Sequence, residues 1–105
     1  MVAAMATLTG PVSALADITR VAGEEVGSWL REYEGYRGVF VFTDEDAQSA
    51  RLITLWDTSE AEARARTSRG AMRDQLAATA GVEVVSFEVF DVPGYEFLDG
   101  ADPRA

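Results

Sequence analysis

Four side chains of this sequence combine polar hydrogens with aromatic or cationic groups, the combination that binds and polarises a small aromatic molecule: Trp56, Tyr36, Tyr33 and Arg69. The indole N–H of Trp56 could donate to a phenol or carbonyl oxygen of a flat ligand. Tyr36 could act as an acid or hydrogen-bond donor, and Arg69 could stabilise an enolate or phenolate. The chemistry would be proton transfer on a bound phenol or enol.

Each of these side chains also has a purely structural interpretation. Trp56 could fill the space between a sheet and its helices, since large aromatic residues are commonly core. Trp29 and Tyr33 lie on the apolar stripe of a predicted helix and could belong to its core. The arginines could form a solvated helix face on which Glu62 pairs with Arg66 at helical spacing. The residues alone leave both interpretations open.

The composition removes most other kinds of catalysis. The 105 residues include no Cys and no His, so thiol nucleophiles, disulfides, thiolate metal sites and histidine bases are excluded. Lys is absent as well, which excludes Schiff bases and P-loop chemistry. The acidic residues 44–46 could bind a cation, but acids at a hairpin turn are far more often solvated. We therefore assign no metal and expect no organic cofactor.

The charge and hydropathy of the chain limit its partners. The net charge of −9 argues against nucleic acid and anionic membranes, since both attract basic surfaces. No apolar run approaches the roughly 20 residues that cross a bilayer. Residues 1–10 have no basic segment before their short apolar stretch, which argues against a secretory signal. We expect a cytoplasmic protein that binds neither nucleic acid nor membrane.

A hairpin over residues 36–57 must position Trp56 and Tyr36. Two apolar segments, residues 38–43 and 51–57, predict its strands. The first segment is continuously apolar over residues 39–42, which is typical of a strand covered on both faces. The second segment predicts alternating faces, with Leu52, Thr54 and Trp56 on one side and Ile53 and Leu55 on the other.

Two helices are predicted from apolar residues that recur at steps of three and four. The first covers residues 11–34 and ends at Gly35, which we expect to be a left-handed cap. The second follows the hairpin, where Ser59 and Glu62 have the spacing of a capping box. The inner stripe of this second helix would face the sheet.

The order of elements predicts the fold class. With strands at residues 1–9 and 82–92, the order is strand, helix, strand, strand, helix, strand. This is the ferredoxin-like βαββαβ order, an α+β fold with a four-stranded antiparallel sheet and two helices on one face. We expect one domain over residues 1–94 and a C-terminal tail over residues 95–105. A second copy of the sheet, in a two-fold dimer, would cover the other face.

Three segments of the chain resemble the dimeric α/β-barrel superfamily and, within it, the antibiotic biosynthesis monooxygenase-like branch. They are GYRGVF at residues 35–40, LWDTSE at residues 55–60 and FEVFDV at residues 87–92. The resemblance implies a homodimer with one pocket per subunit between sheet and helices. Members of the family include cofactor-free oxygenases of aromatic polyketides, haem-degrading enzymes, isomerases and cyclases.

The sequence departs from two groups within that family. Leu52 stands four residues before Trp56, where the cofactor-free quinone-forming oxygenases have an Asn. The haem-degrading members hold iron with a His, and this chain has none, so we do not expect haem degradation of that type. Oxygenation needs chiefly a dry pocket that deprotonates a reduced phenol and holds it near dioxygen.

The residues and the resemblance together predict a cofactor-independent monooxygenase that acts on a small aromatic or polyketide-like compound. The alternatives are a cofactor-free polyketide cyclase or isomerase, or a non-catalytic homodimer that binds a ligand or stabilises a partner. The residues assigned to catalysis are Trp56, Tyr36 and Arg69. Those assigned to substrate binding are Trp29, Tyr33, Phe40, Phe42, Leu52, Met72, Arg73 and Phe87.

Overall fold

The fold is a four-stranded antiparallel sheet with helices packed against one face. A computed structural model describes residues 1–21, 30–44, 46–67, 78 and 81–96. The strand order is β2-β3-β1-β4, which is the ferredoxin-like arrangement that the sequence predicts. The elements in chain order are β1 (Val2–Thr9), α1 (Val12–Val21), β2 (Tyr36–Asp44), β3 (Ser49–Trp56), α2 (residues 59–67) and β4 (Glu83–Asp91).

The first strand, β1, lies in the middle of the sheet and pairs with β3 on one side and β4 on the other. Its side chains alternate strictly between buried and partly buried. The buried set is Val2, Ala4, Ala6 and Leu8. We call the sheet face that carries this set the covered face, and the opposite one the open face. The two central alanines let helices approach the sheet closely.

Two apolar clusters divide the covered face between the helices. The first joins α1 to the sheet through Ala14 and Leu15, which pack with Leu8. The second joins α2 to the sheet through Ala61 and Ala65. We call this one the Trp56 cluster; its buried members are Val2, Ala4, Leu30, Trp56, Ala61 and Ala65. Helices thus cover one face of the sheet, as the predicted βαββαβ fold implies. Among the described residues, no helix packs against the open face.

The end of the first helical segment differs from the prediction. Leu15 is buried as its stripe predicts, but Ala22, Val26 and Trp29 lie outside the described residues. Leu30 is helical and 1% exposed. Tyr33 follows in a turn, where its backbone N–H donates to the Leu30 carbonyl at 3.0 Å. The prediction that Tyr33 lies on the helix is therefore wrong.

The second helix begins one residue earlier than the predicted capping box implies. The Thr58 hydroxyl, not Ser59, accepts the Ala61 backbone N–H at 3.1 Å and so caps the first turn of α2. Glu62 does not cap the helix; its side chain is buried. Thr58 and Ser59 are adjacent hydroxyl residues, so spacing alone could not separate them.

A register shift in β4 changes which of its residues face the helices. The pairing of β1 with β4 is irregular between Thr7 and Leu8, which leaves Val85 without a β1 partner. Val85 is 51% exposed, whereas Val84 and Phe87 pack against the covered-face clusters. Strand period alone would place Val85, Phe87 and Val89 on one face, and the register shift removes Val85 from that face. Within the described residues, no helix is long and apolar enough to cross a membrane.

Candidate functional site

Trp56 is the last residue of β3 and the centre of its cluster. It lies opposite Val2 on β1 and Tyr36 on β2, so all three side chains project from the covered face. Its exposed fraction is 0%. The residues packed around this side chain come from β1, β2, β4 and α2, together with Leu30 and Tyr33 from the segment before β2.

The indole N–H of Trp56 donates to the hydroxyl oxygen of Thr54 at 2.9 Å, and both groups are buried. Thr54 and Trp56 are two residues apart on one strand and therefore project from the same face. A buried N–H without an acceptor would cost about 1–3 kcal/mol, so this contact stabilises the fold. It also uses the proton that a ligand oxygen would otherwise accept, which favours the structural interpretation of Trp56.

Two tyrosines meet the Trp56 ring edge-on. The ring centroids of Tyr36 and Trp56 are 5.4 Å apart at an interplanar angle of 66°. Those of Tyr33 and Trp56 are 6.4 Å apart at 77°. Edge-to-face packing places the positive edge of one ring against the negative face of another. Both tyrosines are partly buried, so this aromatic trio reaches from the core towards solvent.

The turn before β2 places both tyrosines, and Gly35 determines its path. Gly35 has φ +85°, the left-handed conformation that the sequence predicts. A Cβ at this position would lie 2.7 Å from the Cβ of Ala61 on α2. The Gly35 carbonyl also accepts the Asp57 backbone N–H at 2.8 Å. The turn is therefore held against both α2 and the end of β3.

An ion pair fastens the same end of the β2–β3 pair. The Arg37 guanidinium donates to both carboxylate oxygens of Asp57, with an Nη2 to Oδ2 distance of 2.7 Å. Arg37 is the extra residue at a register shift between Tyr36 and Gly38. Because both side chains are more than a third exposed, the pair fixes geometry more than it adds stability.

The Tyr36 hydroxyl is biased towards its protonated form. Burial raises the pKa of Tyr36 above its ordinary value of 10.0, since the phenolate loses hydration. The nearby positive charge of Arg31 lowers the pKa and offsets part of this effect. At neutral pH Tyr36 is therefore a neutral phenol that can donate a hydrogen bond, and it does not act as a base.

The other predicted site residues fall into three groups. Leu52 and Phe87 project from the covered face and pack against its clusters. Phe40 and Phe42 lie opposite Ile53 and Arg51, on the open face, and their rings stack at 6.4 Å. The structure therefore does not bring Phe40 and Phe42 together with Trp56. Four assigned residues lie outside the described part of the chain: Trp29, Arg69, Met72 and Arg73.

A buried carboxylate that the prediction did not assign to the site lies on α2. Glu62 is 1% exposed, and Arg66 Nη2 lies 3.2 Å from its Oε1. The Arg66 guanidinium carbon lies 5.6 Å from the centroid of the Phe87 ring. The pairing of Glu62 with Arg66 is confirmed, but its solvated position is wrong. In the sequence, Glu62 lies between Ala61 and Ala65, which face the sheet, and this position is the pattern that could have predicted its burial.

The acidic side chains of the described residues are spread apart. In that part of the chain, no three acidic side chains come close enough together to hold a metal ion. The candidate site consists of the aromatic trio and the Glu62–Arg66 pair, which Phe87 connects by packing against the Trp56 cluster and lying under the Arg66 guanidinium. Such a site can bind a flat apolar molecule and offer it hydrogen bonds from Tyr36 and Arg66.

Solved structures share this architecture. A proposed antibiotic biosynthesis monooxygenase from Deinococcus radiodurans superposes with a TM-score of 0.69 at 15% identity, covering 95% of this chain and all of its own. The monooxygenase ActVA-Orf6 of Streptomyces coelicolor, solved with the ligand nanaomycin D, gives 0.69 at 15% identity, covering 93% and 92%. SnoaB, a cofactor-independent oxygenase from Streptomyces nogalater, gives 0.64 at 15% identity, covering 90% and 94%.

These similarities establish the fold and its structural neighbours. No protein-family profile matches the sequence, and neither does any curated protein. At such low identities, similarity of structure carries the fold and not the activity. The chain has the ferredoxin-like fold of antibiotic biosynthesis monooxygenase-like proteins.

Proposed function

We propose that this protein works in the cytoplasm as a cofactor-independent oxygenase of a small, polyketide-like phenol. The observation that carries the proposal is the aromatic trio of Tyr33, Tyr36 and Trp56. It presents two partly buried tyrosine rings, held edge-to-face against the buried Trp56, and one of them carries a neutral phenol. Two structural neighbours that are named as oxygenases support the same reaction class.

In this proposal the protein binds and orients the substrate. The rings of Tyr33 and Tyr36 contact the flat face of the substrate, and the buried Trp56 fixes their edges. The Tyr36 hydroxyl donates a hydrogen bond to the oxygen on which negative charge develops when the substrate is deprotonated. The apolar surroundings exclude water and so strengthen that hydrogen bond.

The reaction balances with dioxygen as the only oxidant. A reduced phenol such as anthrone loses a proton to bulk water to give an enolate, which passes one electron to dioxygen. The two radicals form a carbon–oxygen bond, and the resulting hydroperoxide breaks its oxygen–oxygen bond. One oxygen atom remains in the quinone product, and the other leaves as water with the two hydrogens lost from the substrate carbon.

The working unit in this proposal is a homodimer formed through the open face. Phe42 is 55% exposed and Phe90 is 46% exposed, and both project from this face. A second copy of the same sheet would bury both rings by two-fold symmetry. The helices of each subunit would then remain on the outside, each pair above its own aromatic trio.

The test is oxygen uptake with anthrone as the substrate. We expect dioxygen consumption in equal amount to anthraquinone formed, at a rate above spontaneous oxidation. Tyr36→Phe should lower kcat/KM by about tenfold or more, because one hydrogen bond to a charged oxygen contributes about 1.5–3 kcal/mol. Tyr95→Phe, which alters an exposed tyrosine outside the trio, should not change the rate. No uptake by the folded protein, or equal losses in both variants, would refute the oxygenase.

The contact between Trp56 and Thr54 favours a second candidate function. Because the indole N–H is already bonded and the ring is fully buried, the trio could serve a non-catalytic dimer that binds a ligand or stabilises a partner. Such a protein would show saturable quenching of tryptophan fluorescence by anthraquinone without oxygen uptake. A cofactor-free cyclase or isomerase would instead convert its substrate without consuming dioxygen.

A further inference from the structure

Glu62 is the one charged side chain among the described residues that is buried. It belongs to α2, whose neighbouring residues Ala61 and Ala65 pack into the Trp56 cluster. Taking a carboxylate out of water costs several kcal/mol, and an ion-pair partner often fails to recover that loss. Replacing a buried ion pair by apolar residues of similar volume is often neutral or stabilising. The burial of a carboxylate here therefore directs attention to the side chain that it holds.

The carboxylate holds a guanidinium that reaches the surface. Arg66 Nη2 lies 3.2 Å from Glu62 Oε1, while the Arg66 side chain is 45% exposed. On its other side the guanidinium lies over the Phe87 ring. Glu62 and Phe87 together thus restrict a side chain that would otherwise sample many rotamers. A guanidinium has five N–H donors, so most of them stay available on the exposed side.

Phe87 connects this guanidinium to the aromatic trio. Its ring packs against the Trp56 cluster from β4, where it lies opposite Ala6 of β1. Trp56 approaches the same cluster from β3. The short side chains of Ala4 and Ala6 lie between the two rings on the covered face. The aromatic trio and the Arg66 guanidinium are therefore connected to the same cluster, the trio through Trp56 and the guanidinium through Phe87.

The negative charge of the protein makes an exposed, fixed arginine notable as a candidate anion-binding group. With a net charge of −9, the protein repels anions at long range, and a neutral ligand would need no fixed cation. We propose that Arg66 recognises a carboxylate on the aromatic ligand, and that Glu62 and Phe87 are positioning residues that orient its guanidinium. A planar guanidinium matches a carboxylate with two parallel hydrogen bonds. This inference rests on the proposed function, because the ligand is the same aromatic molecule.

The test compares two probes that share one ring system. Anthraquinone-2-carboxylate carries the charge, and 2-(hydroxymethyl)anthraquinone replaces it with a neutral group of similar size. Their dissociation constants are measured by quenching of tryptophan fluorescence. We expect the wild type to bind the carboxylate about tenfold more tightly, as one charge-assisted interaction provides. Arg66→Met should abolish this preference and change the affinity for the neutral probe less than about twofold.

Two further variants separate recognition from packing. Arg64→Met removes an exposed arginine of the same helix and should leave the preference for the carboxylate unchanged. Glu62→Gln keeps the size of the side chain but removes its charge, so Arg66 is held less firmly. We expect it to reduce the preference about threefold, a partial loss of one charge-assisted contact, without changing the neutral probe. A merely structural Glu62 would weaken both probes equally.

The outcomes distinguish this inference from the proposed function. If the wild type shows no preference, if neither probe binds, or if the preference survives in Arg66→Met, recognition by Arg66 is refuted. An Arg66-dependent preference without oxygen uptake supports recognition and refutes the oxygenase. Oxygen uptake without any preference for the carboxylate supports the oxygenase and refutes recognition.

Discussion

The two faces of the sheet use aromatic residues in opposite ways. On the covered face, Trp56 is fully buried in an apolar cluster and its N–H is bonded to Thr54. On the open face, Phe42 and Phe90 are about half exposed, and Phe42 stacks on Phe40. A single face would have sufficed for one hydrophobic core. In the proposed dimer, a second copy of the sheet would cover the open face.

The type of a side chain does not by itself determine which face of the sheet the residue occupies. The sequence predicts Phe40 and Phe42 as substrate-binding residues at the same site as Trp56. The register places them on opposite faces, since Val41 pairs with Leu52 on the covered side. Whether an aromatic residue of β2 meets helix or solvent thus depends on one register shift at Arg37.

The largest contrast is expected between truncations on the two faces. Trp56→Ala should lower the free energy of unfolding by about 3–5 kcal/mol, because it opens a cavity in the core. Phe42→Ala should cost less than about 1 kcal/mol in the monomer, because its ring is largely in water. Urea unfolding at several protein concentrations measures both and separates any dimer contribution. Similar losses at the lowest concentration would contradict the distinction between the faces.

The turn that places Tyr33 and Tyr36 against Trp56 should be nearly as sensitive to substitution as Trp56 itself. Gly35→Ala should cost about 2 kcal/mol or more, because a left-handed residue other than Gly is strained by about 1–2 kcal/mol. The new Cβ would also press on Ala61, whose Cβ cannot move without α2.

Gly94→Ala is the matched control for this variant, since no atom lies within 4 Å of the added Cβ. We expect a change of less than about 0.5 kcal/mol there. Thermal unfolding followed by circular dichroism compares the two. If Gly35→Ala were as stable as Gly94→Ala, the close approach of turn and helix would be wrong.

The buried hydrogen bond of the covered face should contribute less than either of these. Thr54→Val keeps the shape of the side chain but leaves the indole N–H of Trp56 without its acceptor, at a cost of about 1–3 kcal/mol. Thr43→Val, an exposed threonine on β2, should be neutral within about 0.5 kcal/mol. Urea unfolding is again the measurement. A neutral Thr54→Val would mean that the indole finds another acceptor.

A charge on the open face should change assembly without changing the fold. Phe42→Asp should convert the proposed dimer to monomer, because the charge would be buried between two sheets. Thr43→Asp places the same charge one residue away on the other face and should leave the dimer intact. Sedimentation velocity and far-ultraviolet circular dichroism test assembly and fold separately. If the wild type and Phe42→Asp sedimented identically, the open face would be ruled out as the dimer interface.

The smallest expected effect is the pH dependence that Tyr36 contributes. Since burial raises its pKa in the folded state above 10.0, its contribution to stability is complete below the unfolded pKa and is lost as pH rises through the folded pKa. The stability difference between wild type and Tyr36→Phe should therefore be constant at neutral pH and shrink in strong alkali. Tyr95→Phe serves as the control. A difference that grows with pH would reverse the assigned direction.

The fold could be predicted from the sequence because its signals are local and agree with one another. Apolar residues at helical spacing around Leu15, the β-branched residues from Val39 onward and the left-handed Gly35 each point to one element. Their order leaves few topologies. The grouping of Leu52, Thr54 and Trp56 on one face also follows directly from strand period, and it is confirmed.

The candidate site could be predicted only in part, because its geometry depends on distant pairings. Continuous apolarity in β2 does not indicate which face Phe42 takes. The burial of Glu62 depends on how closely α2 approaches the alanines of β1, and a surface pair with Arg66 has the same spacing. Thr58 caps α2 instead of Ser59 because the chain leaves β3 at that point, which no local pattern specifies.

The central position of β1 has a consequence for how the chain folds. Val2–Thr9 pairs on one side with Glu83–Asp91. Strand β1 therefore cannot form hydrogen bonds along both of its edges until β4 is present. Pairing across such a separation has a high loop-closure entropy and slows folding. A ribosome-bound chain that ends before β4 would expose one edge of β1. We expect such intermediates to depend on chaperones that cover strand edges.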